Sequence, residues 1–451
     1  MTLKISISGV RGIYGESLTA EIVKKFGVAY ARFINGGTVL VGTDTRRSGP
    51  QVKEALFRGL RFDGRAKIID VGCLPTPTVQ VLARSLNADG AVIVTASHNP
   101  APWNGLKFVR PDGIFLPEDE AQKLLALYER VSPEDLARTA EGRLAVQTDL
   151  EAGRVHLEKI QRISAVDLLR RSGLKVVVDT CCGAGAVLTK KLLDNLGVRY
   201  LQVNGEPDLE KCSRPLEPTA THIAELGEKV KKFGADIGFA QDPDADRLAI
   251  VDETGRAIGE DYTLCLAADY LLSRLRSGQL RGQNKICTNL STTRLIDAVA
   301  AKYGAEVVRT KIGEVNVSLA MKSTGAVAGG EGNGGIMLPA VGWGRDSLAG
   351  ITLILQYLAE SQRKVSELVD GLPKYVMHKT KIDCASARQA DELLEKVKTK
   401  YAAEKLDLQD GVKVLFTDGN WLHVRASNTE PVIRIIAEAE TLERAKALTG
   451  L

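Results

Sequence analysis

The segment Lys175-Val176-Val177-Val178-Asp179-Thr180-Cys181-Cys182-Gly183 is an apolar run that ends in a polar turn, and a helical pattern follows from Gly185 to Leu196. The same order occurs at Thr38–Thr45, before a helical pattern from Gln51 to Leu60, and again at Lys285–Thr292. A strand that ends in a polar turn and leads into a helix is the repeating element of α/β proteins. These segments therefore predict sheets covered by helices on both faces.

In each of these three repeats, a second apolar run leads into an unusual polar loop. The runs are Asp89–Val94 before Ser97, Ala235–Ala240 before Asp242, and Gly325–Ala328 before Glu331. The 451 residues exceed the ~250 to 300 at which a single core stops growing. We therefore predict three related α/β domains with mixed sheets between helices, followed by a smaller C-terminal α+β domain. The alternative is one larger α/β domain in which similar turn sequences recur without marking separate domains.

The predicted domains comprise residues 1–150, 151–254, 255–368 and 369–451. Helical periodicity from Ile351 to Lys364 ends before the turn Gly371-Leu372-Pro373, which marks the last boundary. The C-terminal domain is predicted to contain one strand, one helix, three further strands and a final helix. All but the final helix are expected at Tyr375–Cys384, Ser386–Ala402, Val412–Thr417, Trp421–Ala426 and Val432–Glu438.

The composition is typical of a soluble globular protein. Hydrophobic residues make up 44% and charged residues 26%, and the net charge of +4 comes from interspersed signs. This pattern argues against a nucleic-acid-binding arm and against a polybasic membrane patch. The start of the chain lacks a signal-peptide pattern and no apolar run reaches ~18 residues, so we predict a cytoplasmic protein without a membrane span. The seven cysteines have no CxxC spacing and are predicted to be core residues rather than zinc ligands or a disulfide framework.

The loop Thr95-Ala96-Ser97-His98-Asn99-Pro100 places a hydroxyl directly after a strand. Strand ends in α/β domains collect ligands, and the proline disfavours a helix at Asn99, so we expect the Ser97 hydroxyl to be presented rather than buried. Ser97 and His98 should point apart on an extended loop, which argues against a Ser-His-Asp triad. An ordinary polar turn is the alternative.

The loop Asp242-Pro243-Asp244-Ala245-Asp246-Arg247 predicts a magnesium site. Its three carboxylates alternate with small or rigid residues, and Mg²⁺ prefers octahedral oxygen ligands, one of which is often a phosphate oxygen. An EF-hand is excluded because Arg247 occupies the sixth position, where glycine is needed, and because Leu248–Val251 reads as a strand. A solvated acidic turn is the alternative.

Two further loops carry groups that suit a phosphorylated sugar. Glu331 and Asn333 lie in the glycine-rich segment Gly329–Gly335 and match the hydrogen-bonding needs of sugar hydroxyls. Arg425 and Arg434 flank a turn rich in hydroxyl and amide groups, and guanidinium groups pair with phosphate oxygens in a bidentate manner. A mobile surface loop and exposed hairpin arginines are the respective alternatives.

These loops together resemble those of the α-D-phosphohexomutase superfamily, which includes phosphoglucomutase, phosphomannomutase and phosphoglucosamine mutase. The resemblance covers essentially the whole chain, in the expected order. It implies that Ser97 is phosphorylated, with His98 beside it as a catalytic residue, and that Ser97 joins Asp242, Asp244 and Asp246 as a metal ligand. It also implies roles near the reacting phosphate for Arg11, Lys107 and Arg247. The implied substrate-binding residues are Glu331, Asn333, Thr310, Gly313, Arg425, Ser427, Asn428, Thr429 and Arg434.

The chain also departs from the family pattern. Pro243 and Ala245 replace the usual glycines of the metal loop, so the backbone must either avoid positive φ or accept strain at Ala245. Gly335 stands where some members carry histidine, and Asn333 stands where many carry serine. We therefore favour Lys107, helped by Arg11, as the acid or base, on the expectation that burial among cations would ease proton release.

The resemblance implies a mutase that moves phosphate between C1 and C6 of glucose and mannose phosphates. It also implies Mg²⁺ as cofactor, hexose phosphates as small-molecule partners and a hexose 1,6-bisphosphate as intermediate. The phosphate-binding loop with Arg425 and Arg434, here called the clamp, would lie on a separate C-terminal domain. This domain could close over the substrate during phosphoryl transfer and open so that the intermediate can turn around. Asn428, in the Ser-Asn-Thr form of the loop, favours glucose and mannose over glucosamine. Phosphoglucosamine mutase, a non-catalytic phosphosugar sensor and a phosphatase are the alternatives, and a homo-oligomer is left open.

Overall fold

The structure, a computed structural model, describes residues 3–6, 9–139, 146–384, 386–427 and 432–450. The chain forms two compact units, the first made of Met1–Thr263 and Asn333–Val369 and the second of Leu264–Gly332 and Asp370–Leu451. Within the described part of the chain, no helix combines the length and apolar character that a membrane span requires. The four predicted domain ranges follow the order of strands and helices rather than these units, and they stay a prediction.

The N-terminal part of the chain builds one mixed sheet with its helices. Its elements are β1 (Lys4–Ser6), β2 (Gly9–Ile13), α1 (Ala20–Phe33), β3 (Thr38–Thr43), α2 (Gly49–Leu60), β4 (Lys67–Cys73), α3 (Thr76–Ser85), β5 (Gly90–Val94), β6 (Trp103–Val109), α4 (Glu118–Glu129), α5 (Pro133–Ala137) and β7 (Val146–Thr148). The strand order is β1-β2-β6-β5-β3-β4-β7. Strands β3 and β5 are parallel with Thr43 opposite Val94, so the polar residues after both strands lie at one sheet edge.

The second sheet repeats the strand–turn–helix pattern. Its elements are α6 (Arg154–Arg162), α7 (Val166–Ser172), β8 (Lys175–Asp179), α8 (Gly185–Leu196), β9 (Arg199–Val203), a 3₁₀ turn (Leu209–Lys211), α9 (Ala224–Phe233), β10 (Ile237–Gln241) and β11 (Leu248–Asp252). The strand order is β11-β10-β8-β9. Strands β8 and β10 are parallel with Asp179 opposite Ala240, which places the turn after β8 next to the loop after β10.

The third sheet is built from the segment that follows. The elements are α10 (Asp261–Arg276), β12 (Gln283–Asn289), α11 (Leu295–Ala301), β13 (Glu306–Thr310), α12 (Glu314–Thr324), β14 (Ala326–Glu331), β15 (Gly335–Met337), α13 (Ser347–Ser361) and α14 (Val365–Asp370). Strand β12 is parallel to both β13 and β14. Because β15 and α13 belong to the first unit, Glu331 and Asn333 lie in different units although one short loop contains both.

The C-terminal module is antiparallel, with two helices. Its elements are β16 (Val376–Asp383), α15 (Ala387–Lys400), β17 (Lys405–Asp407), β18 (Val412–Leu415), β19 (Trp421–Ala426), β20 (Val432–Ala439) and α16 (Leu442–Thr449). The strand order is β16-β20-β19-β18-β17. Every predicted element is present, and the three-residue edge strand β17 is added because so short a segment carries no periodic signal. The predicted fold class, three α/β domains and a smaller C-terminal domain, is confirmed.

Helices α1 and α2 approach closely because glycines lie where they cross. A Cβ atom on Gly59 would lie 2.2 Å from the carbonyl oxygen of Lys24, and one on Gly27 would lie 2.8 Å from the Cα of Gly59. The close approach packs Phe26 and Leu56 into the core of the first sheet domain, where both are almost fully buried. The two glycines therefore determine how near the helices can pack.

We expect Gly59→Ala to lower the free energy of unfolding by about 1–3 kcal/mol, because the new methyl group meets backbone atoms that cannot move aside independently. Urea denaturation followed by circular dichroism measures the change. Gly49→Ala, in the same helix, is the matched control, since the nearest atom to its Cβ would be 3.9 Å away. Equal denaturation midpoints for the two variants would contradict the packing argument.

Candidate active site

Three aspartates that follow β10 converge in the first unit. Carboxylate oxygens of Asp242, Asp244 and Asp246 lie within 4.8 Å of one another, and all three side chains are buried. The loop turns through Ala245 with φ of 54°, a conformation that glycine adopts far more readily. The backbone thus accepts the strain at Ala245 instead of avoiding positive φ.

The aspartate cluster fits a hard divalent cation. Asp244 Oδ1 and Asp246 Oδ1 are buried and accept no hydrogen bond from the described residues. A buried carboxylate oxygen without a donor is costly, and a cation with oxygen ligands would satisfy it. Ser97 Oγ lies 3.3 Å from Asp242 Oδ2, at the edge of the same cluster.

The pKa values of Asp242 and Asp244 are shifted in opposite directions. Burial raises the pKa of Asp242 well above its usual range, and the charges of Asp246 and Asp244 add to the rise. Burial acts in the same direction on Asp244, but the ion pair and hydrogen bond from Lys107, with a further hydrogen bond from Thr76, hold the pKa of Asp244 below its usual range. Carboxylates this crowded stay ionised together only with positive charge beside them.

Two buried cationic side chains supply that charge. Lys107 Nζ lies 2.7 Å from Asp244 Oδ2 and 3.6 Å from Asp246 Oδ2, and Arg345 Nη2 lies 2.6 Å from Asp246 Oδ2. The expectation that Lys107 lies among cations is wrong, since carboxylates surround its ammonium group. Arg345 was missed, because it comes 99 residues after Asp246 in a segment without a recognisable motif.

The Ser97 hydroxyl is buried against the aspartates, which corrects the expectation that it is presented to solvent. Ser97 is 2% exposed, and its φ of 51° turns the backbone inward toward Asp242. The same turn brings the ring of His98 to the hydroxyl, with Nδ1 3.4 Å from Oγ. The two residues do not point apart, because the backbone at Ser97 is not extended.

An arginine that sequence reasoning missed shapes the serine loop. Arg46 donates to the carbonyl oxygens of Ser97 (2.5 Å), Asn99 (2.7 Å), Pro100 (2.7 Å) and Trp103 (2.8 Å). Asp44 orients Arg46 at 3.0 Å and accepts a hydrogen bond from Thr95 Oγ1 at 2.6 Å. The available signal was an aspartate and an arginine two residues apart in the turn after β3, which is adjacent to β5 in the sheet.

Two other predicted residues, Arg11 and Arg247, lie beside this loop, and a third, His98, is part of it. Arg11 Nη1 donates to Asn99 Oδ1 at 3.0 Å, and burial lowers the pKa of Arg11. Arg247 pairs with Glu217 at 2.6 Å and lies 3.9 Å from Asp246. Burial, and then the charge of Arg247, lowers the pKa of His98 to about 3, so its ring is neutral at neutral pH.

Gly335 has a packing reason to differ from the histidine found in some family members. A Cβ at Gly335 would lie 2.2 Å from Arg345 Cδ and 3.1 Å from Asn333 Oδ1. Any side chain here would displace the arginine that reaches Asp246. Asn333 itself accepts a hydrogen bond from the Gly335 amide at 3.2 Å, which makes it part of this turn.

The second unit contains the other predicted sugar-binding groups. Glu331 is buried at the end of β14, and its Oε1 accepts hydrogen bonds from Asn289 Nδ2 at 2.8 Å and from the Gly313 amide at 3.3 Å. Thr310 lies at the end of β13 and donates to the Lys311 carbonyl at 2.9 Å. Asn289 was recognised only as a turn residue, yet it orients the carboxylate because β12 and β14 are adjacent.

The two predicted phosphate-binding arginines face one another across a strand pair. Arg425 and Arg434 are directly opposite in the ladder of β19 and β20, so their side chains lie on the same face. The Ser427 amide donates to the Val432 carbonyl at 2.9 Å, next to the paired ends of these strands. Like charges opposite each other are unfavourable unless an anion compensates them. Asn428 and Thr429, predicted to complete the site, lie outside the described residues.

The C-terminal module shares its unit with the sugar-binding loop. Glu438 accepts hydrogen bonds from the Arg294 amide at 2.8 Å and from Trp421 Nε1 at 2.7 Å. Lys413 donates to the Leu290 carbonyl at 2.5 Å. The C-terminal module is therefore hydrogen-bonded to the segment that follows β12, within the same unit.

Comparison with known families matches the chain throughout its length. Models of the phosphoglucomutase/phosphomannomutase α/β/α domains I, II and III match residues 3–135, 154–255 and 259–375, in that order. The model of the C-terminal domain of phosphoglucomutase/phosphomannomutase matches residues 380–449.

Individual relatives agree with the family models. The phosphoglucomutase/phosphomannomutase of Thermococcus kodakarensis is 38% identical over 448 residues, covering 97% of this chain and 95% of that protein. The phosphoglucosamine/phosphogalactosamine mutase of Sulfurisphaera tokodaii is 34% identical, covering 96% and 94%. The crystal structure of a phosphoglucomutase/phosphomannomutase family protein from Burkholderia thailandensis superposes with a TM-score of 0.83 at 27% identity, covering 98% and 95%.

We expect Arg345→Met to destabilise the metal-free protein, because breaking a buried ion pair leaves the Asp246 charge uncompensated at a cost of about 3–5 kcal/mol. Added Mg²⁺ should then restore more stability in the variant than it adds to the wild type. Thermal melting in EDTA and in MgCl₂ measures both effects. Arg47→Met, which removes an ion-paired arginine at the surface, is the control and should change neither value. The same Mg²⁺-induced shift in variant and wild type would argue against a metal at the aspartates.

Proposed function

The chain belongs to the phosphoglucomutase/phosphomannomutase family of the α-D-phosphohexomutase superfamily, and we propose that it moves a phosphoryl group between C1 and C6 of glucose and mannose phosphates. A phosphohexose mutase is an intramolecular phosphotransferase, and this enzyme class is common to its relatives. Ser97 carries the phosphoryl group in the proposed reaction. The observation that supports this role is the position of Ser97 Oγ, 3.3 Å from Asp242 at the edge of the carboxylate cluster.

The proposed reaction has two balanced halves. In the first, the bond between Ser97 Oγ and phosphorus breaks and Ser97 Oγ takes up a proton, while phosphorus forms a new bond to a free hydroxyl oxygen of the hexose phosphate, whose proton passes to a base. The product is a hexose 1,6-bisphosphate, which turns around in the site. In the second half, its other phosphoryl group is transferred to Ser97 Oγ, which gives up its proton, and the oxygen left on the sugar takes up a proton. Mg²⁺ bound by the aspartates would offset negative charge on the transferring group.

We assign the proton transfer to Lys107, helped by Arg11. Lys107 Nζ reaches the aspartate cluster at 2.7 Å, and Arg11 binds the serine loop through Asn99. A second group that could take the proton is His98, whose neutral ring lies 3.4 Å from Ser97 Oγ. A neutral imidazole has a nitrogen lone pair available, whereas a lysine must first lose its proton.

We assign substrate binding to two sets of residues. Glu331, Asn333, Thr310 and Gly313 would bind the sugar hydroxyls. Arg425, Arg434 and Ser427, with Asn428 and Thr429, would hold the phosphate that does not react. Glu331 and the arginines of the clamp belong to the same unit. A bisphosphate that turns around could therefore contact both again without any movement between them. This arrangement supports the use of one clamp for either phosphate.

The sugar is proposed to be glucose or mannose. The Asn428 form of the phosphate loop and the similarity to a phosphoglucomutase/phosphomannomutase support this choice. Phosphoglucosamine mutase is the second candidate, supported by the relative that acts as a phosphoglucosamine/phosphogalactosamine mutase. We further propose that the protein acts in the cytoplasm, without nucleic-acid or membrane partners; a homo-oligomer is left open.

The proposal is tested by incubating the protein with MgCl₂ and glucose, mannose or glucosamine 1-phosphate, with and without hexose 1,6-bisphosphate. Formation of the 6-phosphates of glucose and mannose, stimulated by the bisphosphate, is the expected result. Faster turnover of glucosamine 1-phosphate would identify the second candidate. Release of inorganic phosphate alone would indicate a phosphatase, and binding without turnover would indicate a sensor.

We expect Ser97→Ala to lower kcat by at least about 10³-fold, because the acceptor oxygen of the phosphoryl group is lost. The circular dichroism spectrum should be unchanged, and intact-mass measurement after incubation with glucose 1,6-bisphosphate should show no added phosphate. Ser277→Ala, at an exposed serine, is the control and should keep both activity and phosphorylation. Full activity of Ser97→Ala would remove this residue from the mechanism.

We expect Arg425→Met to raise KM for glucose 1-phosphate by about 10- to 100-fold, the loss of one or two charge-assisted hydrogen bonds. The ligand-free variant should not melt earlier than the wild type, since the substitution also removes repulsion from Arg434. Steady-state kinetics and thermal melting measure the two effects. Arg388→Met, on the exposed face of α15, is the control. An unchanged KM would exclude Arg425 from substrate binding.

A further inference from the structure

Two cysteines that lie far apart in sequence meet beside the metal loop. The Cys181 and Cys212 sulfur atoms are 3.7 Å apart, and the residues are separated by 31 positions. Cys181 follows β8 and is fully buried, whereas Cys212 is only partly buried. Sulfur atoms this close need to move by less than about 2 Å to reach the ~2.05 Å of a disulfide bond.

The surrounding segment holds both thiol groups in place. Cys181 Sγ contacts the Leu216 carbonyl at 3.7 Å, and Cys212 Sγ contacts the Arg214 carbonyl at 3.4 Å. Arg214 is itself anchored to Asp179, at the end of β8, by a buried ion pair of 2.7 Å. Both cysteines are therefore tied to the same few residues, and each keeps its side chain directed at the other.

The two thiol groups differ in a way that suits an attacking and a resolving cysteine. The hydrogen bond from Cys181 is the main influence that lowers the pKa of Cys212, to about 7, and the charge of Arg214 contributes. The same contact, together with burial, raises the pKa of Cys181 well above its usual range. The partly exposed thiol is thus the one that ionises, and the thiolate is the reactive form.

We propose that Cys181 and Cys212 are a site of reversible oxidation and form a disulfide bond when the protein meets a hydroperoxide. The inference concerns a group of residues that the proposed mutase reaction does not use. It also revises the expectation from sequence that the cysteines are merely small core residues. Their meeting could not be anticipated, since CxxC spacing is absent.

The proposed oxidation is balanced with hydrogen peroxide as the oxidant. The Cys212 thiolate attacks one peroxide oxygen, the O–O bond breaks, and Cys212 becomes a sulfenic acid as hydroxide leaves. The Cys181 thiol then attacks the Cys212 sulfur, the S–O bond breaks, and one water molecule leaves as the disulfide forms. Two thiols and one peroxide thus give one disulfide and two water molecules, and a dithiol reductant reverses the change.

The bond would fasten a segment that touches the metal loop on both sides. Arg214 Nη2 donates to the carbonyl oxygen of Gln241, immediately before Asp242, at 2.6 Å. Glu217, further along, pairs with Arg247 at the end of the metal loop. A disulfide between Cys181 and Cys212 would close the loop of chain that runs from residue 181 to residue 212. Such a cross-link restricts the conformations of the unfolded state and so raises the free energy of unfolding.

The test uses the full-length protein, fully reduced and then exposed to a small excess of hydrogen peroxide under native conditions. After removal of peroxide and alkylation of the remaining thiols, peptide mass spectrometry should find Cys181 linked to Cys212 and the other cysteines alkylated. Thermal melting should show the oxidised form unfolding several degrees above the reduced form. Dithiothreitol should reverse both results.

Three variants make the test specific. Cys212→Ser should lose both the cross-link and the redox-dependent shift in melting temperature. Cys181→Ser should lose both as well and should leave Cys212 as a sulfenic acid, detectable with dimedone. Cys182→Ser, at the neighbouring cysteine, is the matched control and should keep the cross-link. A bond from Cys212 to Cys182, or full alkylation of both Cys181 and Cys212 in the folded, peroxide-treated wild type, would overturn the proposal.

Discussion

The repulsion among three buried carboxylates is the constraint on which the first unit depends. Asp242, Asp244 and Asp246 are withdrawn from water with their oxygens within 4.8 Å of one another, an arrangement that is strongly unfavourable without compensating charge. Lys107 from β6 and Arg345 from the segment before α13 provide part of that charge. Two buried oxygens, Asp244 Oδ1 and Asp246 Oδ1, accept no hydrogen bond from the described residues. A divalent cation would supply the positive charge that these oxygens still lack.

The serine loop reaches these carboxylates because of how the neighbouring strands are paired. Thr43 and Val94 are opposite each other in parallel strands, so the turn after β3 lies next to the loop after β5. Because of this proximity, Arg46 donates hydrogen bonds to the carbonyl oxygens of Ser97 and Asn99. Ser97 Oγ then faces Asp242, at the cost of a left-handed backbone conformation at the serine. A strained loop held by a buried arginine would be a rigid support for the phosphoryl transfer proposed at Ser97.

In the second unit, adjacent strands likewise position the side chains that are proposed to bind the substrate. Glu331 is oriented by an amide side chain from the adjacent strand, and Arg425 is held opposite Arg434 by the antiparallel ladder. In both cases the groups that would bind the substrate are attached to sheet ends, where the backbone is well supported. The C-terminal module is hydrogen-bonded through Glu438 to the segment after β12, and Glu331, Arg425 and Arg434 all belong to the second unit. Reorientation of a bisphosphate would then require no rearrangement between Glu331 and these arginines.

Local patterns were enough to predict the fold class and the loops that contain Ser97, the aspartates and Glu331, whereas the remaining site residues were implied by the family resemblance. Ser97, Asp242 and Glu331 each follow an apolar run, and a strand end is recognisable from a few consecutive residues. The same reasoning located the C-terminal module and missed only β17, which is too short to show alternation. It erred at Ser97, because a proline two residues after His98 says nothing about a left-handed turn before it.

The amino-acid sequence by itself determined which loops carry reactive groups and in what order they occur, because strand, turn and helix signals are written in neighbouring residues. Only the tertiary structure decided which distant residues complete those loops. Arg46, Arg345 and Asn289 were missed as site residues, and the meeting of Cys181 with Cys212 was not foreseen. Each of these contacts depends on which strands are adjacent, in what register, and on how a connecting segment folds back. Such pairings are set by packing of the whole chain, and no local pattern records them.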